Sequence, residues 1–168
     1  LQKTARWFAD PAIHAVCGND TPLDPETPLQ KLLTLTTHIG TGFVRRAFSV
    51  LNVMPIISGN TGAVRKSWLE RVGGFSEVWG EDLDLTFKLQ RARARIVYDS
   101  DALVACEVPR NIRALWRQRV RWMRSYLTIT ASHRDMAFRR AFWPFSFYMP
   151  INWFTLVAIP LLQAVLAA

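Results

Sequence analysis

Apolar positions in this chain follow two patterns: short continuous runs, and longer stretches that repeat every three or four residues. The run Ile13-His14-Ala15-Val16-Cys17, closed by Gly18-Asn19-Asp20, predicts a buried strand. Met54-Pro55-Ile56-Ile57 predicts another, leading into the small-residue turn Ser58-Gly59-Asn60-Thr61-Gly62. Residues 95–98 and 102–108 predict two more strands. Helical spacing covers residues 29–51, with Gly40 and Gly42 as a weak point, then 66–72, then the segment through Leu85-Thr86-Phe87-Lys88-Leu89. Residues 1–8 read as the tail of a helix, and the three prolines in 21–28 mark a loop. Strands alternating with helices predict an α/β unit with a largely parallel sheet.

Beyond Pro109, Asn111 suits the N-cap of a long helix over residues 112–131. At about 100° per residue, Trp116, Val120, Met123 and Leu127 share one stripe of that helix. Gln118, Arg121, Trp122 and Ser125 share the opposite face, bordered by Arg113, Arg117 and Arg124 on one side and Arg119 on the other. A core stripe and a solvated basic face account for most of this. They leave Trp122 without a role, because a large aromatic on a polar face needs something to stack on. After the basic residues 134–140, no charge occurs from Ala141 to the end. Aromatics come first and an apolar run follows, which suits an interfacial segment leading into a membrane-spanning helix. Pro144, Pro150 and Pro160 argue against one straight spanning helix. The arginines before the segment put the folded part on the cytoplasmic side.

Composition and charge narrow the chemistry. The chain has 21 lysines and arginines against 13 acids, a formal net charge of +8, which implies an anionic partner: nucleic acid, acidic lipid or a phosphorylated substrate. Half the residues are hydrophobic and seven are tryptophan, too apolar for a disordered basic tail. Against this background Gly80-Glu81-Asp82-Leu83-Asp84 sets three acids at the mouth of a helix, just after the helix-breaking pair Gly73-Gly74. Acids in a first turn cap free amides and suit the helix dipole, so a structural role explains them when taken alone. Cys17 and Cys106 have no paired spacing and no histidine cluster, and read as reduced core thiols. His14 reads as a structural histidine, and His38 carries no assigned chemistry. The chain begins at Leu1 without methionine and ends in an apolar run, which reads as part of a larger protein.

Gly80-Glu81-Asp82 followed by Gln118-x-x-Arg121-Trp122, with a membrane segment after both, resembles the processive inverting glycosyltransferases of family 2. These include the bacterial synthases of poly-N-acetylglucosamine, hyaluronan, chitin and cellulose. The resemblance covers nearly the whole chain, and residues 108–122 are especially similar to the poly-N-acetylglucosamine branch. It implies an α/β fold, the C-terminal half of a glycosyltransferase-A (nucleotide-diphospho-sugar transferase) fold, followed by interfacial helices and the start of a transmembrane region. Residues 1–109 would be the transferase part, 110–141 an amphipathic interfacial region and 142–168 the interfacial and transmembrane segment. The resemblance makes Asp82 the general base that takes the proton of an acceptor hydroxyl, with Glu81 as its catalytic neighbour. Gln118 and Arg121 would contact the donor diphosphate, Trp122 would be the platform for the acceptor sugar, and Ser58, Gly59 and Asn60 would form the acceptor-side turn. The nucleotide site and an Asp-x-Asp site for Mg2+ or Mn2+ are expected upstream of Leu1, leaving no metal ligands in this chain.

The implied function is transfer of a sugar, N-acetylglucosamine in the most similar branch, from a UDP-sugar donor to a growing β-linked polysaccharide. The implied setting is the inner cell membrane, in a multi-pass protein whose catalytic part is cytoplasmic. Its partners would be the donor, the polysaccharide, the bilayer and an export protein, with no nucleic acid. Two positions depart from the family's pattern. Gly80 stands where threonine is frequent, and Met123-Arg124-Ser125 stands where close relatives tend to have Ala-Gln-Gly; the second departure leaves the polymer open. The alternative is a basic membrane-surface or nucleic-acid-binding module without catalysis. Such a surface gains nothing from Glu81, Asp82 and Asp84, and those acids favour the enzyme.

Overall fold

A computed structural model describes residues 2–167; Leu1, expected in the first helix, and Ala168, at the end of the apolar run, lie outside the described residues. Helix α1 (Gln2–Ala5) runs into a 3-10 turn, and strand β1 (Ala15–Pro22) follows. Thr27 opens α2 (Pro28–Ile39) through a capping box with Gln30, and Pro28 fits the first turn because its missing N–H has no intrahelical partner there. Gly40 and Gly42 fall in a π turn that joins α2 to α3 (Arg45–Leu51), so the weak point keeps a helical path. Then come β2 (Ala63–Val64) and α4 (Lys66–Arg71), ended by Gly73 and Gly74 at φ +80° and +71°. Helix α5 (Glu81–Arg91), β3 (Ile96–Cys106) and α6 (Ile112–Ser132) complete the α/β part. As expected, Asn111 caps α6, its Oδ1 accepting from the Ala114 N–H at 2.9 Å.

The sheet order is β2-β1-β3, with β1 parallel to β3 and antiparallel to β2, so the sheet is mixed. Three strand expectations change. Strand β1 does not stop at Gly18 but continues to Pro22, because β3 offers it partners along that length, Leu103 opposite Asn19 and Cys106 opposite Pro22. The two runs at 95–98 and 102–108 are one strand, β3, which bulges where the register with β1 shifts. Residues 54–57 form no strand. Side chains of α5 take the place of a strand neighbour: Gln90 Nε2 donates to the Met54 carbonyl at 3.1 Å, and Thr86 Oγ1 accepts the Ile57 N–H at 2.9 Å. His14 has the structural role expected of it, accepting the Arg95 N–H at 2.8 Å and stacking on Trp68 at 3.8 Å.

Helix α5 lies between two cores. Leu85 and Leu89 pack with Ile57 and Ile96 on the sheet side, while Leu83 and Phe87 pack with Ile129 and Phe145 on the other. Each such side chain contributes roughly 1.5–3 kcal/mol when fully buried. Its polar residues are tied as firmly. Asp84 meets His133 Nε2 at 2.8 Å, Ser76 Oγ at 2.7 Å and Lys88 Nζ at 3.1 Å. An Arg91 guanidinium nitrogen faces His133 Nδ1 at 3.4 Å, which leaves Nε2 as the donor to Asp84. Arg91 also holds both oxygens of Asp135 at 2.7 Å. Burial alone would raise the Asp84 carboxyl, but the hydrogen bonds from His133, Ser76 and Lys88 outweigh it and keep the group below its ordinary range. Arg91 brings Asp135 down to about 2.

The apolar stripe of α6 is not in the core. Trp116 is 70% exposed, Met123 and Leu127 are exposed as well, and the face bearing Gln118 and Ser125 turns toward the body. The cause lies in α5: it offers apolar ground to Ile129 near the end of α6, whereas its own start is polar and meets α6 through Ser125. Past α6, α7 (Phe145–Trp153), a π turn and α8 (Ile159–Leu166) form one helical run of 22 residues, long and apolar enough to cross a membrane. The prolines do not break it as expected. The Ser146 carbonyl, which Pro150 cannot bond, accepts the Phe138 N–H at 3.0 Å, and the π turn absorbs the register change ahead of Pro160.

Asp84 and Asp135 are both held below their ordinary pKa, so their stabilisation is complete above about pH 4 and is lost as pH falls through the folded values. Thermal unfolding of the detergent-solubilised chain is expected to show a midpoint that drops between about pH 4 and pH 2. Asp84→Asn should cost about 3 kcal/mol at neutral pH and flatten part of that acid dependence. An acid profile unchanged by Asp84→Asn would contradict the network.

Candidate active site

Gly80 is the N-cap of α5, at φ +87° and ψ 42°, a left-handed conformation. A Cβ on Gly80 would lie 2.9 Å from the Ser125 Cβ of α6, so both the backbone angle and the available space require glycine. Two residues on, the three acids diverge. Glu81 is exposed, Asp84 is buried against His133, and Asp82 is partly exposed between them. The Asp82 Oδ1 accepts the Leu83 N–H at 2.8 Å. Its Oδ2 faces the turn at Gly59: a Cβ built there would stand 3.6 Å from that oxygen.

The turn is anchored from below. The Thr61 and Gly62 N–H groups donate to the Ser58 carbonyl at 3.2 and 2.7 Å. Asn60 Nδ2 donates to Cys106 Sγ at 3.2 Å, and Thr61 Oγ1 to Asp20 at 3.4 Å. Asp20 pairs with Arg45 at 3.1 Å. Cys106 is therefore not a core thiol as expected; it lies half-buried beside the turn because β3 carries it to the edge of the sheet, while Cys17 is buried. Burial raises both thiols, so neither is a ready nucleophile.

Gln118 and Arg121 line an open groove of about 770 Å³, together with Arg110, Asn111 and Arg117 and, across from them, Glu26 and Glu107. Among the described residues no ion pair engages Arg117 or Arg121, which leaves their guanidinium groups available to an anion. Trp122 is 49% exposed, with the Arg119 guanidinium 4.6 Å above its ring. No hydrogen bond or ion pair among the described residues joins Asp82 to Gln118, Arg121 or Trp122. The two motifs meet one step removed, through Gly80 and Ser125, the latter one helical turn from Arg121 and Trp122.

No group of three or more His, Cys, Asp or Glu able to hold a metal ion occurs among the described residues. The donor set therefore does not fit a divalent ion: Asp84 is engaged by His133 and Lys88, and Glu81 with Asp82 alone makes too few ligands.

Three residues of this region escaped the sequence reading. Trp79, 78% exposed just before Gly80, carries a signal in being a large aromatic beside a glycine-acid turn. Thr86 sits one helical turn from Asp82 and bonds its carbonyl at 2.7 Å. His133 has no local signal, since its role depends on where α6 ends.

With this geometry in view, the likenesses to known proteins are specific. Residues 1–167 match the family model described as glycosyl transferase family group 2. The chain is 31% identical over 136 residues to poly-beta-1,6-N-acetyl-D-glucosamine synthase of Staphylococcus epidermidis, covering 80% of this chain and 31% of that protein. It is 31% identical over 114 residues to the synthase of the same name from Staphylococcus aureus strain COL, covering 67% of this chain and 28% of that protein. The chain thus spans about a third of the length of these relatives. A mannosyltransferase from Pyrobaculum calidifontis, solved in complex with GDP-Man and Mn2+, superposes with a TM-score of 0.62 over 94% of this chain and 40% of that one, at 24% identity. That is a likeness of fold, of the glycosyltransferase-A type. A family match running from the first residue to the last turn of α8 carries both motifs with it, and the chain belongs to glycosyl transferase family group 2.

Proposed function

We propose that this chain forms the acceptor-side catalytic region of a membrane-bound glycosyltransferase that adds N-acetylglucosamine from a UDP-sugar to a growing β-linked polysaccharide, with inversion. The observation that carries this reading is the partly exposed Asp82 carboxylate beside the turn at Gly59, where a Cβ built on the glycine would stand 3.6 Å from Oδ2. A sugar hydroxyl hydrogen-bonded to Asp82 loses its proton to the carboxylate as its oxygen attacks the anomeric carbon. The bond from that carbon to the diphosphate breaks, and the nucleoside diphosphate leaves with the electron pair. Gln118 and Arg121, at the groove, offset the charge on the leaving diphosphate. Trp122 gives the acceptor ring a face to stack on, and Glu81 adds negative charge beside the base. No step is routed through a metal ion on these residues; the donor's divalent ion and nucleotide pocket belong, in this reading, to the rest of the protein.

The choice of sugar rests on the names of the relatives from Staphylococcus. Membrane attachment is supported by the apolar run Phe145–Leu166 and by the outward stripe of Trp116, Met123 and Leu127 on α6, which lies near Arg113, Arg117 and Arg124, engaged in no ion pair among the described residues. An amphipathic helix of this kind lies in the lipid interface with its cations toward acidic headgroups.

In the full-length enzyme, Asp82→Asn keeps shape and hydrogen bonding but removes the proton acceptor, and turnover is expected to fall about a hundred- to ten-thousand-fold with donor affinity nearly unchanged. Asp84→Asn should lower stability more than turnover, and Trp122→Ala should shorten the product while sparing donor binding. Turnover, donor affinity and product length decide among these. Near-normal turnover in Asp82→Asn with a dead but folded Asp84→Asn would move the base to Asp84.

Alkaline carbonate is expected to leave the chain in the membrane fraction. Removing residues 154–168, beyond the core contacts of Phe145 and Met149, should leave part of it bound through α6, released by raised salt or by adding Trp116→Glu with Leu127→Glu. A tailless chain that is fully soluble at low salt would contradict the interfacial role of α6.

A further inference from the structure

Thr86 makes two hydrogen bonds at once from the buried face of α5, where it has no exposed surface. Its Oγ1 donates to the Asp82 carbonyl at 2.7 Å and accepts the Ile57 N–H at 2.9 Å. The first is the common back-bond of a helical threonine to the turn before it. The second reaches a segment distant in sequence, and Ile57 is the residue directly before the Ser58-Gly59-Asn60 turn. A hydroxyl has a single proton, so donation to Asp82 commits its lone pairs to Ile57 and gives the bridge a direction. One turn further on, Gln90 bonds the Met54 carbonyl at 3.1 Å and holds the far end of the same segment. Of these two pegs, Thr86 alone bonds both the backbone of Asp82 and the segment that leads into the Gly59 turn.

We propose that Thr86 is a positioning residue for the transfer reaction: its hydroxyl fixes the spacing between Asp82 and the acceptor-side turn. This rests on the reading of Asp82 as the base. Proton transfer needs the acceptor hydroxyl within about 2.6–3.2 Å of the carboxylate, and an error of about 1 Å costs on the order of a hundredfold in rate. Valine at position 86 keeps the shape but removes both bonds, freeing residues 57–59 to drift from α5. The donor groove at Gln118 and Arg121 is untouched by that change.

The test uses the full-length synthase and measures kcat, KM for UDP-N-acetylglucosamine, KM for an acceptor oligosaccharide and the thermal midpoint. Thr86→Val is expected to lower kcat by about thirtyfold with donor KM within about twofold, and Thr86→Ser to stay within about threefold of the parent. Gln90→Met, which removes the peg one turn farther from Asp82, should lower the midpoint and leave kcat within about threefold. If Thr86→Val and Gln90→Met lose rate equally, in step with lost stability, the hydroxyl is only a prop of the fold and the proposal is overturned. It is overturned too if Thr86→Ser falls as far as Thr86→Val. Should Thr86→Val not fold, Thr86→Cys, with a longer and weaker bridge, is expected to show intermediate kcat at unchanged donor KM, and full activity there overturns the proposal. Asp82→Asn separates the two readings. A dead Asp82→Asn beside a fully active Thr86→Val removes the positioning role alone, whereas a fully active Asp82→Asn removes the base and the proposal together.

Discussion

The hydrogen bond between Asp84 and His133, buried and 2.8 Å long, fixes how α5 sits against the end of α6. The rest of the site follows from that placement. Leu85 and Leu89 hold one side of the helix to the sheet, and Leu83 and Phe87 hold the other to Ile129 and Phe145. Between these apolar contacts every buried polar side chain of α5 has a partner: Asp84 at His133, Thr86 at Ile57, Gln90 at Met54. A buried polar group left without one would cost about 1–3 kcal/mol, so these bonds select one orientation of the helix among those its apolar residues would accept. The three acids of its first turn are sorted by this constraint. Glu81 goes to solvent, Asp84 to the core, and Asp82 to a partly exposed place beside Gly59.

Local signals in the sequence reached the helices and their ends. Asn111 marked the start of α6, the glycine pair 73–74 the end of α4, and Gly40 with Gly42 the change of helical pitch between α2 and α3. What local signals could not reach was the direction in which each surface points. Residues 54–57 have the composition of a strand, yet their backbone partners are Thr86 and Gln90, side chains on a helix some thirty residues later. The polar residues 99–101 divide β3 on paper, although in space they form its bulge. The spacing of α6 defines a stripe, and the same stripe suits a core or a membrane surface. Trp122, unexplained as a residue of a solvated face, lies on the side of α6 that turns toward α5. Gly80 and Ser125 are far apart in sequence but lie against each other in the fold.

The motif residues keep at least part of their surface exposed while their supports are buried. Gln118, Arg121 and Trp122 project from a helix whose grip on the body comes from its last turns, through Ile129, Thr130 and His133. The start of α6 is left free along an open groove, and Asp82 is held on a helix packed into both cores. On the proposed reading this suits the roles, since a general base must be placed to a fraction of an ångström, whereas a charged diphosphate tolerates more slack.

The most direct measurement is elongation by the full-length enzyme carrying Gly59→Ala. The added methyl would stand 3.6 Å from Asp82 Oδ2, ordinary van der Waals contact that strains nothing, and on the proposed reading it crowds the approach of an acceptor hydroxyl to that oxygen. Turnover with acceptor is expected to fall by about a hundredfold while the thermal midpoint and donor affinity stay at parental values. A folded Gly59→Ala enzyme that elongates at the parental rate would contradict the placement of the reaction between Asp82 and this turn.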